Sequence, residues 1–269
     1  MDYGRELQAA LEAARLAGEA LLEQYERFQK IADAPIDIST EADRISQEIV
    51  LKCLRRHFPE DALCAEEETP TLAAASRTGQ RLWVVDPIDG TRGFARKNGE
   101  FSVMVAFLDQ GQIGVGVVLE PAHGRLTYAH QGGGCWRQDQ PESEAIPCRV
   151  SQVADLARAA LVQSRSKNPE TPSPPVQAIK PARVLETYSA GIKLVLVARG
   201  EADLYVNTYE AFHDWDICAG QLLVEEAGGK VTGLKGETIR YGLPGAWQRQ
   251  GLLASNGNLH EPALLKMTR

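Results

Sequence analysis

Leu82-Trp83-Val84-Val85-Asp86-Pro87-Ile88-Asp89-Gly90-Thr91 passes within ten residues from an apolar run to two carboxylates, a proline and a glycine. Residues 82–85 have the length and apolar continuity of a buried strand, which is expected to stop at Asp86-Pro87 and so deliver acidic side chains at its C-terminal end. Pro87 fixes the turn and Gly90 permits close backbone approach. A helix beginning there offers the amides of Gly90, Thr91 and Arg92 to an anion.

Upstream, apolar Leu7, Ala10, Leu11, Ala14, Ala17, Leu21, Leu22, Tyr25 and Phe28 recur every three or four residues, which predicts one amphipathic helix over residues 5–28. A second helix starts at Ser39 or Thr40, whose hydroxyl can cap it, and stops at Phe58-Pro59, with Asp43 in its first turn. Downstream, residues 101–108, 113–119 and 125–130 read as an antiparallel meander broken by Asp109-Gln110-Gly111 and Pro121-Ala122-His123-Gly124. Residues 167–181 hold five prolines and read as a surface loop. A boundary near residue 150 divides an N-terminal α+β domain, residues 1–150, from a C-terminal domain, residues 151–269. In the latter, residues 190–199 read as helix, 202–206 as strand, and 216–228 as a helix closed by Gly228-Gly229.

Hydrophobic residues at 43% and charged residues at 24% match a globular chain and argue against disorder. With 29 basic and 36 acidic residues, a net charge of -7, the chain has no concentrated basic face for a nucleic-acid polymer. It can still take an anionic ligand where bound cations reverse the local sign. Cys53, Cys64, Cys135, Cys148 and Cys218 are odd in number and widely spaced, which predicts reduced thiols and a cytoplasmic location, without a disulfide framework or zinc site. Charges at Asp2, Arg5, Glu6, Glu12, Arg15 and Glu19 leave no signal-peptide core, and no stretch reaches the roughly 20 apolar residues of a membrane span. His57, His123, His130, His213 and His260 show neither i,i+4 pairing nor a local acidic partner that would mark a zinc or nucleophilic site. Gly132-Gly133-Gly134 lacks the lysine and hydroxyl of a phosphate loop and reads as a hairpin turn.

Asp86 and Asp89 can face one point, and their hard oxygens suit magnesium. The same sequence also reads as a solvated turn. Glu66-Glu67-Glu68 follows a predicted buried strand over residues 62–65, and Asp216 lies between Trp215 and Ile217 in an apolar helical segment. Such a charge run is commonly solvated, and Asp216 can equally cap its helix.

Ala65-Glu66-Glu67, Asp86-Pro87-Ile88-Asp89-Gly90-Thr91 and Trp215-Asp216-Ile217-Cys218-Ala219-Gly220, in this order and spacing, resemble the motifs of the inositol monophosphatase superfamily across almost the whole chain. The resemblance implies an α+β fold, a layered α/β/α/β/α sandwich with an antiparallel sheet in the first half. It also implies a lithium-sensitive phosphatase using two or three magnesium ions on a small phosphorylated metabolite, and a possible homodimer. Carried over by position, Glu66, Asp86 and the Ile88 carbonyl would hold one metal, Asp86, Asp89 and Asp216 a second, and Glu66 would help with a third; Glu67 is expected among the metal-binding residues as well. Thr91 would orient the attacking water, with Asp43 of Thr40-Glu41-Ala42-Asp43 as its partner, so Asp43, Glu66 and Thr91 are the expected catalytic residues. A Thr-Asp pair can accept a proton from water acidified by cations, while Gly90 and neighbouring amides hold the phosphate for in-line attack, without a phospho-enzyme. Asp43 alone also reads as a charge stabilising its helix N-terminus. Ala65 departs from the glycine or serine of many members.

The segment Phe94-Ala95-Arg96-Lys97-Asn98-Gly99-Glu100-Phe101 resembles that of 3'(2'),5'-bisphosphate nucleotidases, as do Ser189-Ala190-Gly191-Ile192-Lys193 and Ser164-Arg165-Ser166-Lys167, where Lys167 replaces the usual histidine. The implied reaction converts 3'-phosphoadenosine 5'-phosphate to AMP and phosphate, with Gly90, Thr91, Arg165, Ser189, Lys193 and Asp216 on the substrate. A second phosphate needs added positive charge, which Arg165, Lys167 or Lys193 can supply; Lys193 also reads as a lysine snorkelling at a helix edge, and the loop cations as solvated. The alternatives are an inositol-1-monophosphatase or related sugar-phosphate phosphatase, and a non-catalytic metal-binding protein. A haloacid dehalogenase-type phosphatase is disfavoured, since its aspartates stand two apart and Asp86 and Asp89 three.

Overall fold

The apolar stripe of the N-terminal segment winds into α1 (Gly4–Arg27), burying Leu7, Ala10, Leu11, Ala14, Ala17 and Leu21 on one face. At the start of α2 (Glu41–His57), the Thr40 hydroxyl accepts from the Ala42 amide while the Thr40 amide donates to the Asp43 carboxylate, so both orphan donors are satisfied. The computed structural model describes residues 2–35, 38–166, 170–209 and 212–267.

Helices α1 and α2 pack together on the outer face of a seven-stranded sheet. Its strands follow chain order: β1 (Ala62–Ala65), β2 (Arg81–Asp89), β3 (Ser102–Asp109), β4 (Gln112–Glu120), β5 (Arg125–His130), β6 (Cys135–Gln138) and β7 (Ile146–Pro147). β1 and β2 are parallel; each later pair is antiparallel, so the predicted meander is present. The short helices α3 (Pro70–Ala73) and α4 (Thr91–Ala95) flank β2 in sequence. The three glycines expected in a hairpin turn join β5 to β6, and the amides of Gly132 and Gly134 both donate to the Glu226 carboxylate, at 2.8 Å each.

β2 does not stop at Asp86-Pro87, as expected, but runs on to Asp89. Asp86 pairs with Met104 and Asp89 with Ser102, so β2 has one residue more than β3 across this interval, a bulge at the proline. In a regular strand Asp86 and Asp89 would face opposite sides; the extra residue turns both to the same side.

The second sheet contains β8 (Ala160–Gln163), β9 (Arg183–Glu186), β10 (Leu204–Asn207), β12 (Lys230–Thr232) and β14 (Leu252–Ser255), in the order β12-β14-β10-β8-β9. β8 is parallel to β9 and β10, whereas β14 is antiparallel to β10 and β12. β11 (Phe212–His213) and β13 (Trp247–Gln248) form a separate pair. Residues 174–179 of the expected proline-rich loop are in fact helical, as α5 (Pro174–Ile179): Ser173 caps it, and Pro174 and Pro175 occupy first-turn positions where no intrahelical donor is needed.

Helices α6 (Ala190–Ala198) and α7 (Asp214–Glu226) fill the space between the sheets, while α5 and α8 (His260–Met267) cover the far face of the second. The result is the five-layer α/β/α/β/α sandwich. A Cβ at Gly116 would stand 2.5 Å from the Ala219 carbonyl oxygen, so the glycine lets α7 lie directly on β4. All five cysteines are free thiols. No helix among the described residues is long and apolar enough to cross a membrane.

Candidate active site

A cleft of about 600 Å³ gathers residues from the C-terminal ends of several strands: Glu66 after β1, Asp86, Ile88 and Asp89 of β2, Ser164 and Arg165 after β8, Tyr188 after β9, and Asn207 and Tyr209 at β10. Gly90, Thr91 and Arg92 at the start of α4, Asp216 in the first turn of α7, and Ile38 and Ser39 before α2 complete its lining.

Asp43, 1% exposed, holds its carboxylate by two sets of donors: Oδ2 accepts from the Thr40 amide at 2.8 Å and hydroxyl at 2.7 Å, and Oδ1 lies 2.8 Å from Thr91 Oγ1. The Thr91 hydroxyl is also 2.9 Å from the Ile88 carbonyl. Burial raises the Asp43 pKa, and the threonine hydrogen bonds oppose that rise. The two readings of Asp43, helix cap and partner of Thr91, are both realised, one on each oxygen.

Asp89 is anchored at the N-terminus of α6. Its oxygens accept from the Ala190 amide at 3.0 Å and the Gly191 amide at 2.6 Å, and from the hydroxyls of Ser102 and Ser189. Asp216 Oδ2 accepts from the His213 amide at 2.6 Å, capping α7 from within while the side chain lines the cleft. The αL conformation of Gly90, φ 85°, carries the chain from β2 into α4; a Cβ there would meet the Glu100 carbonyl oxygen at 2.7 Å.

The cleft carboxylates repel one another. Asp86, 2% exposed, has its pKa raised first by burial and then by Glu66, Asp89 and Asp216. Glu66 is open to the cleft yet pushed up to about 8, by burial and then by Asp216, Asp43, Glu67 and Asp89. Asp216 is raised to about 7, chiefly by burial and Asp89, against the opposing pull of the His213 amide and Lys193. Among the described residues Glu66, Asp86 and Asp89 form no ion pair, and the buried Asp86 Oδ1 has no hydrogen-bond donor. An uncompensated set of hard oxygens with one orphaned buried acceptor fits divalent cations.

Several expected site residues lie elsewhere. Glu67 turns its carboxylate to the Ser39 hydroxyl at 2.7 Å and lies 3.9 Å from Arg44, outside the cleft lining. Ser189 is fully buried behind Asp89, where it caps α6 by accepting from the Ile192 amide. Lys193 is neither a surface lysine nor a cleft residue: at 1% exposure it donates to the carbonyls of Tyr188 at 3.0 Å and Ser189 at 2.8 Å, and burial lowers its pKa to about 8. Arg165 does reach the cleft, paired through two nitrogens with Glu100. Lys167 lies outside the described residues.

Residues that the sequence did not single out include Tyr188, whose ring has the guanidinium carbons of Arg92, Arg96 and Arg165 at 5.3, 5.9 and 5.7 Å from its centroid. Asn207 and Tyr209 carried no local signal because β10 meets the cleft only through the second sheet. His57, which has no local acidic partner in the sequence, stands 2.7 Å from Glu12 of α1, 45 residues away.

A family model described as the inositol monophosphatase family matches residues 3–269. The 3'(2'),5'-bisphosphate nucleotidase CysQ of Salmonella typhimurium is 31% identical over 241 residues, covering 87% of this chain and 93% of the relative. A Thermotoga maritima protein named fructose-1,6-bisphosphatase/inositol-1-monophosphatase is 32% identical over 230 residues, covering 84% and 80%. The solved structure of a Thermotoga maritima IMPase matches with a TM-score of 0.81 at 27% identity, over 98% of this chain and 96% of that one.

Proposed function

The chain belongs to the inositol monophosphatase family, whose members are metal-dependent phosphatases, and from that premise we propose that its cleft hydrolyses 3'-phosphoadenosine 5'-phosphate to AMP and phosphate. The observation that carries the hydrolytic reading is the meeting of Glu66, Asp86, Asp89 and Asp216 beside the Thr91–Asp43 pair. Magnesium is the cation this oxygen set favours, with Glu66, Asp86, the Ile88 carbonyl, Asp89 and Asp216 as ligands. When bound, two or three such ions would polarise the phosphoryl oxygens and acidify a water molecule.

The protein's own groups supply position and a proton path. The single hydrogen of the Thr91 hydroxyl has Asp43 Oδ1 and the Ile88 carbonyl within reach; donated to Asp43, it leaves the lone pairs of Oγ1 to accept from a water in the cleft. Asp43, with its pKa raised by burial, is suited to take up the proton that this water releases. Gly90 and the first amides of α4, which a helix leaves without internal partners, hold a phosphate oxygen. Asp89 is fixed by α6, so its carboxylate does not have to reorganise during turnover.

The arginine group around Tyr188 supports a substrate with a second phosphate. Two guanidiniums of the cleft lining, those of Arg92 and Arg165, stand beside the Tyr188 ring and supply the cationic recognition that an inositol monophosphate does not require. The burial of Ser189 and Lys193 removes two residues from this argument, so it rests on Arg92 and Arg165. The Thermotoga relative, equally similar, keeps inositol 1-phosphate as the alternative substrate.

A substrate panel with magnesium decides between them. The specificity constant for 3'-phosphoadenosine 5'-phosphate should exceed that for inositol 1-phosphate, and Arg165→Ala should lower the former by about tenfold or more while sparing the latter. The reverse order, or an equal effect of Arg165→Ala on both substrates, would remove the nucleotide assignment.

A further inference from the structure

Cys53 follows Asp43 by ten residues on α2, about 15 Å along the helix axis, and His57 stands one turn beyond it on the same face. Glu12 reaches this face from α1. The carboxylate oxygen of Glu12, Sγ of Cys53 and a ring nitrogen of His57 all lie within 4.8 Å of one another. His57 Nε2 and Glu12 Oε2 are 2.7 Å apart. No residue of this group lines the phosphatase cleft.

We propose that Glu12, Cys53 and His57 form a second metal site, selective for a borderline-soft divalent transition metal of the zinc class. One sulfur, one imidazole nitrogen and one carboxylate oxygen are three ligands of a tetrahedral centre, and a water completes it. The all-oxygen cleft favours hard magnesium, so the two sites sort their metals by ligand chemistry. Without metal, Arg56 supplies the positive charge: its guanidinium contacts Glu12 and lies 3.8 Å from Cys53 Sγ. Its side chain is 62% exposed and can turn into solvent when a cation enters. Burial and the neighbouring Glu12 keep the Cys53 thiol protonated in the free protein. Metal binding forms the metal–sulfur bond and releases that proton to the buffer. The bound ion would tie the middle of α1 to the last turn of α2, the helix whose first turn holds Asp43.

Cobalt(II) reports on such a site because zinc is spectroscopically silent. Chelator-stripped full-length protein titrated with cobalt(II) should develop a thiolate-to-cobalt charge-transfer band in the near ultraviolet and tetrahedral bands in the visible, all displaced by zinc. Cys53→Ser should abolish the charge-transfer band. His57→Gln and Glu12→Gln, substitutions on half-exposed side chains that leave the core intact, should each weaken cobalt binding at least about tenfold. Both should keep wild-type magnesium-supported activity in the absence of transition metal, which separates this site from the cleft. Absence of the bands in the wild type, or bands unchanged in His57→Gln and Glu12→Gln, would overturn the assignment even where Cys53→Ser fails to fold.

Discussion

Replacing Thr91 with alanine removes one hydroxyl and leaves Asp43 Oδ1 without its donor, while Oδ2 keeps the amide and hydroxyl of Thr40. Asp43 is almost wholly enclosed, and among the described residues no other group donates to Oδ1. A hydrogen bond to a charged group contributes about 1.5–3 kcal/mol. For a chain of this size about 2–4 °C of melting temperature corresponds to each kcal/mol, so Thr91→Ala should melt about 3–12 °C lower. Loss of the proton path should lower kcat by about 10²–10⁴-fold. None of the carboxylates proposed to hold magnesium is changed, so its affinity, measured by calorimetric titration of chelator-stripped protein, should stay near the wild-type value. Thr91→Ser restores the hydroxyl and should recover both stability and most of the rate. A kcat for Thr91→Ala within about threefold of the wild type would refute the proton path. A parallel collapse of magnesium affinity would instead make Thr91 a support for the ligands.

Gly90→Ala combines a positive φ with a Cβ 2.7 Å from a backbone oxygen, so stability should fall by about 2–4 kcal/mol, and unchanged thermal melting would contradict the close approach. In metal-free protein, Glu66 and Asp216 titrate at about 8 and 7, against ordinary values of 4.5 and 3.8. The folded state therefore holds protons that the unfolded chain has released. Stability is greatest below the ordinary values and declines as pH rises toward 8, and magnesium should flatten that decline; a metal-free melting temperature that rises from pH 5 to 8 would show the opposite linkage. Lys193→Met leaves the Tyr188 carbonyl without its donor, while the Ser189 carbonyl keeps the Lys193 amide at 3.3 Å, and should cost about 1–3 kcal/mol of stability. Its KM should remain within about twofold of the wild type, whereas a large rise in KM would return Lys193 to the substrate.

Short-range chemistry made the cleft carboxylates legible. The strand, carboxylates, proline and glycine around Asp86 lie in one segment, and Thr40 and Asp43 are a local helix cap that also reaches Thr91. The hydrophobic periods of α1 and α2 and the turns of the meander were local signals as well. What escaped depends on long-range pairing. The bulge at Pro87 exists because β2 and β3 differ by one residue between two paired positions, and a single strand carries no record of its partner's length. Ser189 and Lys193 read as substrate contacts until α6 is placed with its N-terminus on Asp89, a docking between residues about 100 apart in sequence. Glu12 and His57 meet only because α1 and α2 lie side by side.

Asp216 rides on a helix held between two sheets, one built before residue 150 and the other after residue 159. A ribosome that has released only the first sheet has already made Asp43, Glu66, Asp86, Asp89 and Thr91, yet the proposed centre is incomplete until the wedge helix with Asp216 is made and seated. With Asp216 among the proposed ligands, hydrolytic competence would arrive late in synthesis, and turnover would then report that both halves of the polypeptide have come together.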